Sequence, residues 1–360
     1  MRIGIAGGGL LGRLLAWQLL RAGHQVVVAD AHAPEASAGA CRVAAAMLAP
    51  WSEVLHAEPV VFEQGLAGIV IWQQWLAQLY DETGEQVFFR QAGSVLVAHR
   101  SDRDELDRMR RDWRQLLGER SAAVQVLNRS ALTSLEPALS EQFSEGLLLP
   151  DEACLDNVHL LAVLAKAIEQ RGGVWQVARV ERVVGQTWRI DGEQQAFDRV
   201  IDVRGLGAKN ECSGLRGVRG EVLWLHAPEV CLTRPVRLVH PRYQLYIAPR
   251  PDARYVIGAT EIESEQETPV TVRSSLELLS ALYAVHRGFA EASIEHAFAR
   301  CRPAFADNLP RIDMEGHCLR VNGLYRHGYL LAPRVVQQTM AVLSGEAGAW
   351  PGCVTSERAA

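Results

Sequence analysis

Long apolar runs, an excess of positive charge and paired cysteines are all missing from this 360-residue sequence. No uncharged apolar stretch reaches the roughly 18 residues that a membrane-spanning helix needs. The formal net charge of −5 argues against the basic surface of a nucleic-acid-binding protein or of a polybasic membrane-binding protein. Hydrophobic (48%) and charged (22%) fractions are ordinary, which excludes a disordered or fibrous chain. The sequence therefore predicts a globular protein without nucleic-acid or membrane partners.

The seven cysteines are scattered, odd in number and contain no CxxC pair. This spacing favours neither a disulfide framework nor a zinc site, and no other metal-ligand spacing or Ser-His-Asp set is present. The apolar stretch 3–20 is interrupted by Gly7, Gly8 and Gly9 and contains Arg13, unlike a secretory signal peptide. We therefore expect reduced thiols, no metal and a cytoplasmic location.

The order of predicted elements is typical of an α/β protein. A strand at 1–6, a helix at 10–22 and a strand at 24–30 open the chain. Parallel-type units also appear in the middle and near the end, and antiparallel alternation lies between them. The pattern predicts a discontinuous Rossmann-like domain with an inserted antiparallel α+β domain. Further helices are predicted at 63–80, 104–117, 160–170, 274–290 and 335–343, and further strands at 93–98, 174–184, 187–190, 197–203, 221–225, 244–248, 255–260 and 318–322.

The first turn carries a dinucleotide-binding pattern. Residues 7–12 match GxGxxG directly after a strand and at the start of a helix. In this pattern Gly7 permits the tight turn, Gly9 admits a pyrophosphate, and Gly12 allows close helix packing. The helix N-terminus then offers free N–H groups to the anion. Asp30 follows Gly12 by 18 residues, where an acid accepts hydrogen bonds from a ribose.

The pattern alone fits NAD and FAD equally. No second GxGxxG suggests a separate nicotinamide module, and the segment Ala44-Ala45-Ala46-Met47 favours a bulky flat cofactor. Small residues in a row let backbone pass close beside a ring system. The alternative for this segment is an alanine-rich helix turn without a binding role.

Six stretches together resemble the flavin-dependent amine oxidases of the D-amino acid oxidase (DAO) family, and within it the glycine oxidases of the thiamine thiazole pathway. The resemblance runs from residue 2 to about residue 344. The stretches are the glycine motif with Asp30; residues 44–50; residues 217–221; Tyr246-Ile247-Ala248-Pro249-Arg250; residues 257–260; and Arg302-Pro303 with Asp307, Leu309 and Pro310, continued by residues 323–328 and 331–333.

The resemblance implies a glutathione-reductase-type FAD-binding domain and a non-covalent FAD. It divides the chain into an FAD-binding domain (1–82, 146–215 and 302–345), a substrate domain (83–145 and 216–301) and a C-terminal tail (346–360). The implied cofactor-binding residues are Gly7, Gly9, Leu10, Leu11, Gly12, Asp30, Ala45, Ala46, Met47, Val180, Arg326, His327, Gly328, Leu330 and Leu331.

The resemblance also implies the substrate site. Arg302 would bind the substrate carboxylate with two hydrogen bonds, and Tyr246 would donate its hydroxyl to the same group. Arg326 would be a second positive group near substrate and flavin. Strand geometry gives an independent expectation: with a turn at 251–253, Tyr246 falls opposite Gly258, which leaves space on that sheet face.

Two positions depart from the family pattern. Glu261 stands where relatives tend to have an apolar residue; strand alternation turns it away from the site, while alignment turns it inward. We favour the alternation. An inward Glu261 would favour a substrate with a distal positive group. Asp202 and Arg204 stand where relatives have small apolar residues, and we interpret them as an internal ion pair.

The expected activity is oxidative deamination of glycine or a similar small amino acid, with hydride transfer to flavin N5. The products would be a 2-oxo acid (glyoxylate from glycine), ammonia and, after reaction with O2, hydrogen peroxide. The resemblance implies that this supplies thiazole synthesis. Alternatives are an oxidase or dehydrogenase for sarcosine or a D-amino acid, a non-catalytic FAD-binding protein and an NAD-dependent dehydrogenase. The oligomeric state is left open between monomer and homo-oligomer.

Overall fold

The computed structural model describes residues 1–240 and 243–355. Its strands, in chain order, are β1 (Arg2–Ala6), β2 (Gln25–Asp30), β3 (Met47–Leu48), β4 (Phe89–Gln91), β5 (Ser94–Ala98), β6 (Gln125–Asn128), β7 (Glu145–Leu149), β8 (Ala153–Leu155), β9 (Val174–Val177), β10 (Arg182–Val184), β11 (Thr187–Ile190), β12 (Glu193–Ala196), β13 (Arg199–Asp202), β14 (Arg216–His226), β15 (Val236–His240), β16 (Tyr243–Pro249), β17 (Arg254–Gly258), β18 (Ser293–Ala304), β19 (Arg311–Glu315), β20 (Cys318–Asn322) and β21 (Val354–Thr355).

The α-helices of the same residues alternate with these strands at the start, middle and end. They are α1 (Leu10–Arg21), α2 (Ala40–Val43), α3 (Pro50–Glu53), α4 (Pro59–Thr83), α5 (Arg103–Leu117), α6 (Arg129–Leu135), α7 (Asn157–Gln170), α8 (Val272–Val285) and α9 (Gly328–Leu343).

A seven-stranded sheet forms the nucleotide-binding part, in the order β21-β19-β20-β13-β1-β2-β9. The strands β20, β13, β1, β2 and β9 are mutually parallel, as βαβ connections require. Strand β1, the middle one of these five parallel strands, is buried from Ile3 onward. The largest hydrophobic cluster joins this sheet to α1, α4, α7 and α9, so helices cover the sheet and hold the carboxyl end of β1 in place.

An eight-stranded, largely antiparallel sheet forms the second part, in the order β18-β14-β17-β16-β15-β5-β7-β6. A second hydrophobic cluster packs it against α8 and α6. A smaller cluster lies on its opposite face, where Val43 and Ala45 contact Val222, Ala248 and Val256. This contact brings the alanine-rich segment onto the sheet and places the candidate site between the two parts.

The predicted architecture, an α/β fold with a Rossmann-like sheet, is confirmed. The seven-stranded sheet takes its strands from three separate stretches, 2–30, 174–202 and 311–355, which is compatible with a discontinuous domain. The domain boundaries stay a prediction, and sheet membership differs from them in two places. Strand β7 pairs with β5 and β6 in the eight-stranded sheet, and β18 runs two residues beyond 302.

Two further expectations need correction. The predicted strand 174–184 is two strands, β9 and β10, which belong to different sheets. The predicted tail 346–360 is not separate as far as residue 355, because Val354 pairs with Ile312 in the first sheet and Trp350 donates its backbone N–H to Gln338. Residues 356–360 lie outside the described part of the chain.

Candidate active site

A cavity of about 1490 Å³ runs from the glycine loop after β1 to the face of the eight-stranded sheet. It exceeds the roughly 300–1,000 Å³ of ordinary small-molecule pockets, which leaves room for a dinucleotide together with a substrate. Among the residues predicted to bind cofactor, those that line it are Gly7, Gly9, Leu10, Leu11, Asp30, Ala45, Ala46, Met47, Val180, Arg326, His327, Gly328 and Leu330. Gly12 and Leu331 do not line it.

The three glycines of the motif have different surroundings. Gly7 has φ +107°, and a β-carbon there would lie 2.7 Å from the carbonyl oxygen of Val203. A β-carbon at Gly12 would lie 1.9 Å from the Gly7 carbonyl oxygen, so Gly12 serves the packing of α1 against the turn. At Gly9 the nearest neighbour would be Cys41 Sγ at 3.7 Å. Gly9 is therefore the motif glycine with space on its cavity side.

Asp30 ends β2 beside this loop. Its Oδ2 accepts the Gly8 N–H at 2.7 Å and its Oδ1 accepts the His32 N–H at 2.9 Å. Carboxylate oxygens have further lone pairs, so the acid fixes the loop and can still accept from a ribose. With the helix N-terminus and the space at Gly9, these groups fit the ADP half of FAD.

Val180 lines the same cavity as Asp30, but its backbone carbonyl already accepts a hydrogen bond from within the protein. Arg204 Nη1 donates to it at 3.1 Å, so of the Val180 backbone only the N–H is left to contact a cofactor. Arg204 also pairs with Asp202 at 2.8 Å, and both side chains are almost fully buried. The expected internal ion pair is confirmed.

The alanine-rich segment is not a helix turn: Ala44 is extended, whereas Ala46 has a left-handed backbone with φ +45°. Helix α2 ends at Val43, and Met47 already pairs with Cys154 in β3. The carbonyl of Ala46 accepts from the Leu155 N–H, and the carbonyl of Ala45 accepts from Arg250 Nη2. Both carbonyls thus accept hydrogen bonds from the protein. The opposite edge of the segment is free to contact a flat ring.

Arg250 was given no role from the sequence, but it secures this segment. Its guanidinium is buried, bonds Ala45 and contacts Asn157 Oδ1 at 3.3 Å. Asn157 in turn donates to the carbonyls of Cys41 and Arg42. Burial lowers the pKa of Arg250. The cation is thus held among backbone oxygens, and we expect it to position residues 41–47.

Arg302 lies in the cavity with its guanidinium over Gly220, where a β-carbon would be 2.3 Å from Nη2. Its Nη1 and Nη2 donate to the Thr260 carbonyl at 3.2 and 3.3 Å. Within the described residues no carboxylate lies within 4.0 Å of it, so the charge is unpaired. Each terminal nitrogen keeps a second N–H for a ligand.

Tyr246 meets the expected register. It lies directly opposite Gly258, and a β-carbon at Gly258 would be 2.6 Å from the Tyr246 hydroxyl. The ring thus occupies the space above Gly258 instead of leaving it open. Burial raises the pKa of Tyr246, although the Arg302 charge opposes the shift. The phenol therefore remains a hydrogen-bond donor at neutral pH.

Glu261 corrects the expectation from strand alternation. Strand β17 ends at Gly258, and the pairing with β14 resumes at Ile262 with a one-residue shift, so regular alternation does not extend to residue 261. The carboxylate lines the cavity and accepts from Arg326 Nη1 at 3.0 Å. Burial would raise the pKa of Glu261, but the hydrogen bond with Tyr325 and the charge of Arg326 hold it below its usual value.

Arg326 is consequently not a free positive charge. Its Nε donates to Glu53 Oε2 at 2.7 Å, and its Nη1 pairs with a second carboxylate, that of Glu261. His327 Nδ1 lies 3.2 Å from the same Glu53 oxygen. Burial would raise the pKa of Glu53, yet Arg326, then His327 and Arg237, hold it well below its usual value. Arg326 and Glu53 form a charged pair that ties α3 to the start of α9.

Glu53 and Arg237 are site residues that sequence reasoning missed. Arg237 lies directly opposite Tyr246 on β15 and lines the cavity. Its alternation with buried Val236 and Leu238 was the only available signal, since an arginine in an apolar strand calls for a partner. Glu53 follows the alanine-rich segment without any pattern of its own.

Comparison with known proteins assigns the chain to a protein family. A family model described as FAD dependent oxidoreductase (DAO) matches residues 2–338. The chain belongs to this DAO family. It is 40% identical to the putative thiamine biosynthesis oxidoreductase ThiO of Rhizobium etli, over 97% of this chain and 98% of that protein. It is 25% identical to the glycine oxidase of Geobacillus kaustophilus, whose crystal structure superposes with a TM-score of 0.84 over the whole chain. It spans about half the length of the bifunctional ThiO/ThiG protein of Nostoc.

As a DAO-family member the chain is an FAD-dependent amino acid oxidoreductase, and FAD is its cofactor. The glycine loop, Asp30 and the alanine-rich segment fit that cofactor along the length of the cavity. In residues 1–240 and 243–355 no cluster of three or more His, Cys, Asp or Glu side chains is placed to hold a metal ion. None of the helices found there has the length and hydrophobicity for crossing a bilayer.

Proposed function

We propose that this DAO-family enzyme oxidatively deaminates glycine or a similar small amino acid, with O2 as the electron acceptor. The observation that carries the proposal is the unpaired guanidinium of Arg302, which shares one cavity with the glycine loop and the alanine-rich segment. A planar fork of donors beside a cofactor site is suited to a carboxylate that must be held in one orientation.

The proposed roles follow from the contacts of each residue. Arg302 binds the substrate carboxylate, and its backbone direction is fixed by Pro303, which restricts the preceding residue to an extended conformation. Thr260 orients the guanidinium through its carbonyl. Tyr246 donates its hydroxyl to the same carboxylate, because burial keeps it protonated.

Glu221 supports this anchor from behind. Its backbone N–H donates to Thr260 Oγ1 at 3.0 Å, and its buried carboxylate is paired with Arg219. Thr260 is therefore held from its side chain while its carbonyl holds Arg302. We infer that Arg219 and Glu221 are positioning residues, since neither lies at the reacting atoms.

Cofactor contacts are proposed for the loop and for α9. Gly9, Leu10 and Leu11 would offer backbone N–H groups to the pyrophosphate, and Asp30 would accept from the ribose. Residues Ala45, Ala46 and Met47 would flank the ring. Helix α9 begins at Gly328, and its N-terminus would place a positive dipole end beside the pyrimidine edge of the flavin.

When bound, FAD supplies an acceptor for the hydride that leaves the substrate α-carbon, and O2 takes the electrons on to hydrogen peroxide. The amine becomes an imine, and water converts the imine to a 2-oxo acid and ammonia. For glycine the balance is glycine, O2 and water giving glyoxylate, ammonia and hydrogen peroxide. Orientation by Arg302 and Tyr246 supplies most of the protein's contribution.

The Rhizobium etli relative is named for thiamine biosynthesis. We propose by this likeness that the glycine-derived imine serves thiazole formation. A peroxide and 2-oxo acid assay over glycine, sarcosine and D-amino acids tests the reaction. Peroxide should form with glycine or sarcosine in the holoenzyme. Flavin reduction without O2 consumption would indicate a dehydrogenase, and no reduction by any amine would overturn the proposal.

A further inference from the structure

Arg237 is a largely buried guanidinium in the substrate part of the cavity that makes no hydrogen bond with any described residue. Only 17% of its side chain is exposed, and its Nε is buried without a partner. A guanidinium has five N–H donors, and a buried donor left unpaired costs about 1–3 kcal/mol. Such a group is stable in the protein if a ligand or water completes its hydrogen bonds.

The carboxylates near Arg237 do not fill this role. Within 4.0 Å only Glu53 is found in the described chain, with its Oε1 at 3.9 Å, and its other oxygen is bound by Arg326 and approached by His327. Glu152 is fully buried and accepts from Ser52 and Ser94 instead. The donors of Arg237 are therefore available to an anion that enters the cavity.

The position of Arg237 relative to the substrate anchor is set by the sheet. Arg237 faces Tyr246 across β15 and β16, and Tyr246 faces Gly258 across β16 and β17. Thr260, which holds Arg302, follows Gly258 by two residues. Side chains at directly opposed positions share one sheet face, so Tyr246 stands between two guanidinium groups. Strands β15 and β17 are about 10 Å apart, and both arginine side chains are long enough to approach the same ligand.

Glu261 does not make this end of the cavity a cation site. Its carboxylate is already bound to Arg326, so a distal positive group of a substrate would compete with a pair that exists in the protein. Arg326 and Arg237 balance Glu53 and Glu261, whereas the hydrogen-bond donors of Arg237 stay unused. The charges of these four groups therefore cancel, but the N–H donors of Arg237 still lack a hydrogen-bond acceptor.

We propose that Arg237 is a second substrate anchor and that the preferred substrate is a small amine with a second acidic group, such as an N-carboxyalkyl glycine. Arg302 binds one carboxylate, Arg237 binds the other, and the Tyr246 hydroxyl lies between them. The inference rests on the proposed amine oxidation. It changes the expected substrate from glycine to a dicarboxylic amine oxidised at its glycine α-carbon. Hydrolysis of that imine gives glyoxylate and releases an amino acid instead of ammonia, and the amino acid is glycine when the substrate is iminodiacetate.

The test compares iminodiacetate and N-(2-carboxyethyl)glycine with sarcosine and glycine in the holoenzyme. Sarcosine is the matched substrate, because it is an N-alkyl glycine without the second carboxylate. The wild-type enzyme should show at least a tenfold higher kcat/KM for one of the dicarboxylic amines than for sarcosine. A ratio of one or less would overturn the inference even if no variant could be purified.

The variant Arg237→Met removes the second anchor and keeps side-chain length. Its kcat/KM should fall about 30-fold or more for the dicarboxylic amine, as expected for loss of a charge-assisted hydrogen-bonded pair, and less than about threefold for sarcosine. For the dicarboxylic amine, the kcat/KM of Arg237→Lys should lie between those of the wild type and Arg237→Met. Arg111→Met, an exposed arginine of α5, controls for net charge and should leave both substrates unchanged.

Binding provides a readout without turnover. Succinate should perturb the visible spectrum of the oxidised holoenzyme at a lower concentration than acetate, and Arg237→Met should abolish this difference. An equal loss of kcat/KM for sarcosine and iminodiacetate in Arg237→Met would show that Arg237 has only a structural role. If no amine reduces the flavin, the proposed function itself fails, whereas sarcosine turnover without a gain for iminodiacetate overturns the second anchor alone.

Discussion

Tyr246 lies directly opposite Gly258 on neighbouring antiparallel strands, and its phenol ring covers the position that a side chain at residue 258 would occupy. The hairpin turn between them, closed by Arg254 N–H to the Pro251 carbonyl, sets this register. A glycine at residue 258 thus determines where the hydroxyl of Tyr246 stands beside Arg302.

Replacing Gly258 by alanine should displace the Tyr246 ring. The added β-carbon would lie 2.6 Å from the hydroxyl and 2.9 Å from Val222, so the ring must move. We expect kcat/KM for the amine substrate to fall about tenfold or more while bound FAD is retained. Gly352→Ala, where a β-carbon meets nothing within 4 Å, is the matched control. Unchanged kinetics in Gly258→Ala would argue against a role for the Tyr246 position.

Gly9→Ala and Gly12→Ala should separate cofactor binding from folding. Gly12 has no room for a methyl group, so its alanine variant should lower both the melting temperature of the apoprotein and FAD binding. Gly9 has room within the protein but borders the cavity, so its variant should keep apoprotein stability and lose FAD affinity. Thermal melts and FAD titrations of the two apoproteins measure this. Equal FAD affinity in Gly9→Ala and wild type would contradict the placement of the pyrophosphate.

Glu53 should contribute stability that depends on pH. Its folded-state pKa is held below the ordinary glutamate value by Arg326, His327 and Arg237, against the effect of burial. A lowered folded pKa stabilises the protein above the unfolded pKa, and the contribution disappears as pH falls toward the folded value. Glu53→Gln should therefore lower the free energy of unfolding by about 3–5 kcal/mol at pH 7. The difference should shrink below about pH 4.5.

Urea unfolding of both proteins at pH 7, 5 and 3.5 measures this dependence. Glu63→Gln serves as the control, because Glu63 pairs with Arg120 at the surface and surface pairs contribute about 0–1 kcal/mol. A constant difference between wild type and Glu53→Gln across this range would mean that folding does not lower the pKa of Glu53.

Arg250 should matter for cofactor retention although it does not line the cavity. Arg250→Met removes the donor to the Ala45 carbonyl and the contact to Asn157, so the segment 41–47 loses its support. We expect weaker FAD binding by about tenfold, with smaller loss in Arg250→Lys. Arg254→Met, four residues later on the same hairpin and half-exposed, is the control. The FAD dissociation constants of Arg250→Met and Arg254→Met test this prediction. Equal values in the two variants would mean that Arg250 does not support FAD binding.

Local patterns were sufficient for much of this fold and for part of the site. The β1-α1-β2 unit, the use of Gly12 in packing and the Tyr246–Gly258 register all follow from short stretches of sequence in which period and turn chemistry agree. The assignment of Arg302 needed the family resemblance, because an isolated arginine carries no local signal.

The remaining features depend on tertiary structure. Glu53, Arg237, Glu261 and Arg326 come from four separate elements, and their pairing is visible only after the two sheets face one another. The orientation of Glu261 was wrong because regular alternation was extended past Gly258. The pairing with β14 shifts by one residue between Val222–Gly258 and Arg219–Ile262. The pairing of Val354 with Ile312 was missed because a two-residue strand has no period to detect.

The central claim is that Arg302 anchors the carboxylate of an amine that is oxidised beside the flavin. Anaerobic titration of the holoenzyme with glycine and sarcosine tests it most directly. The readout is the absorbance at ~450 nm, where oxidised flavins absorb. The account predicts that the band bleaches in the wild-type enzyme and that Arg302→Ala, with its FAD retained, needs about 30-fold more substrate for the same bleaching. A band that persists with every amine, or identical titrations of the two proteins, would contradict it.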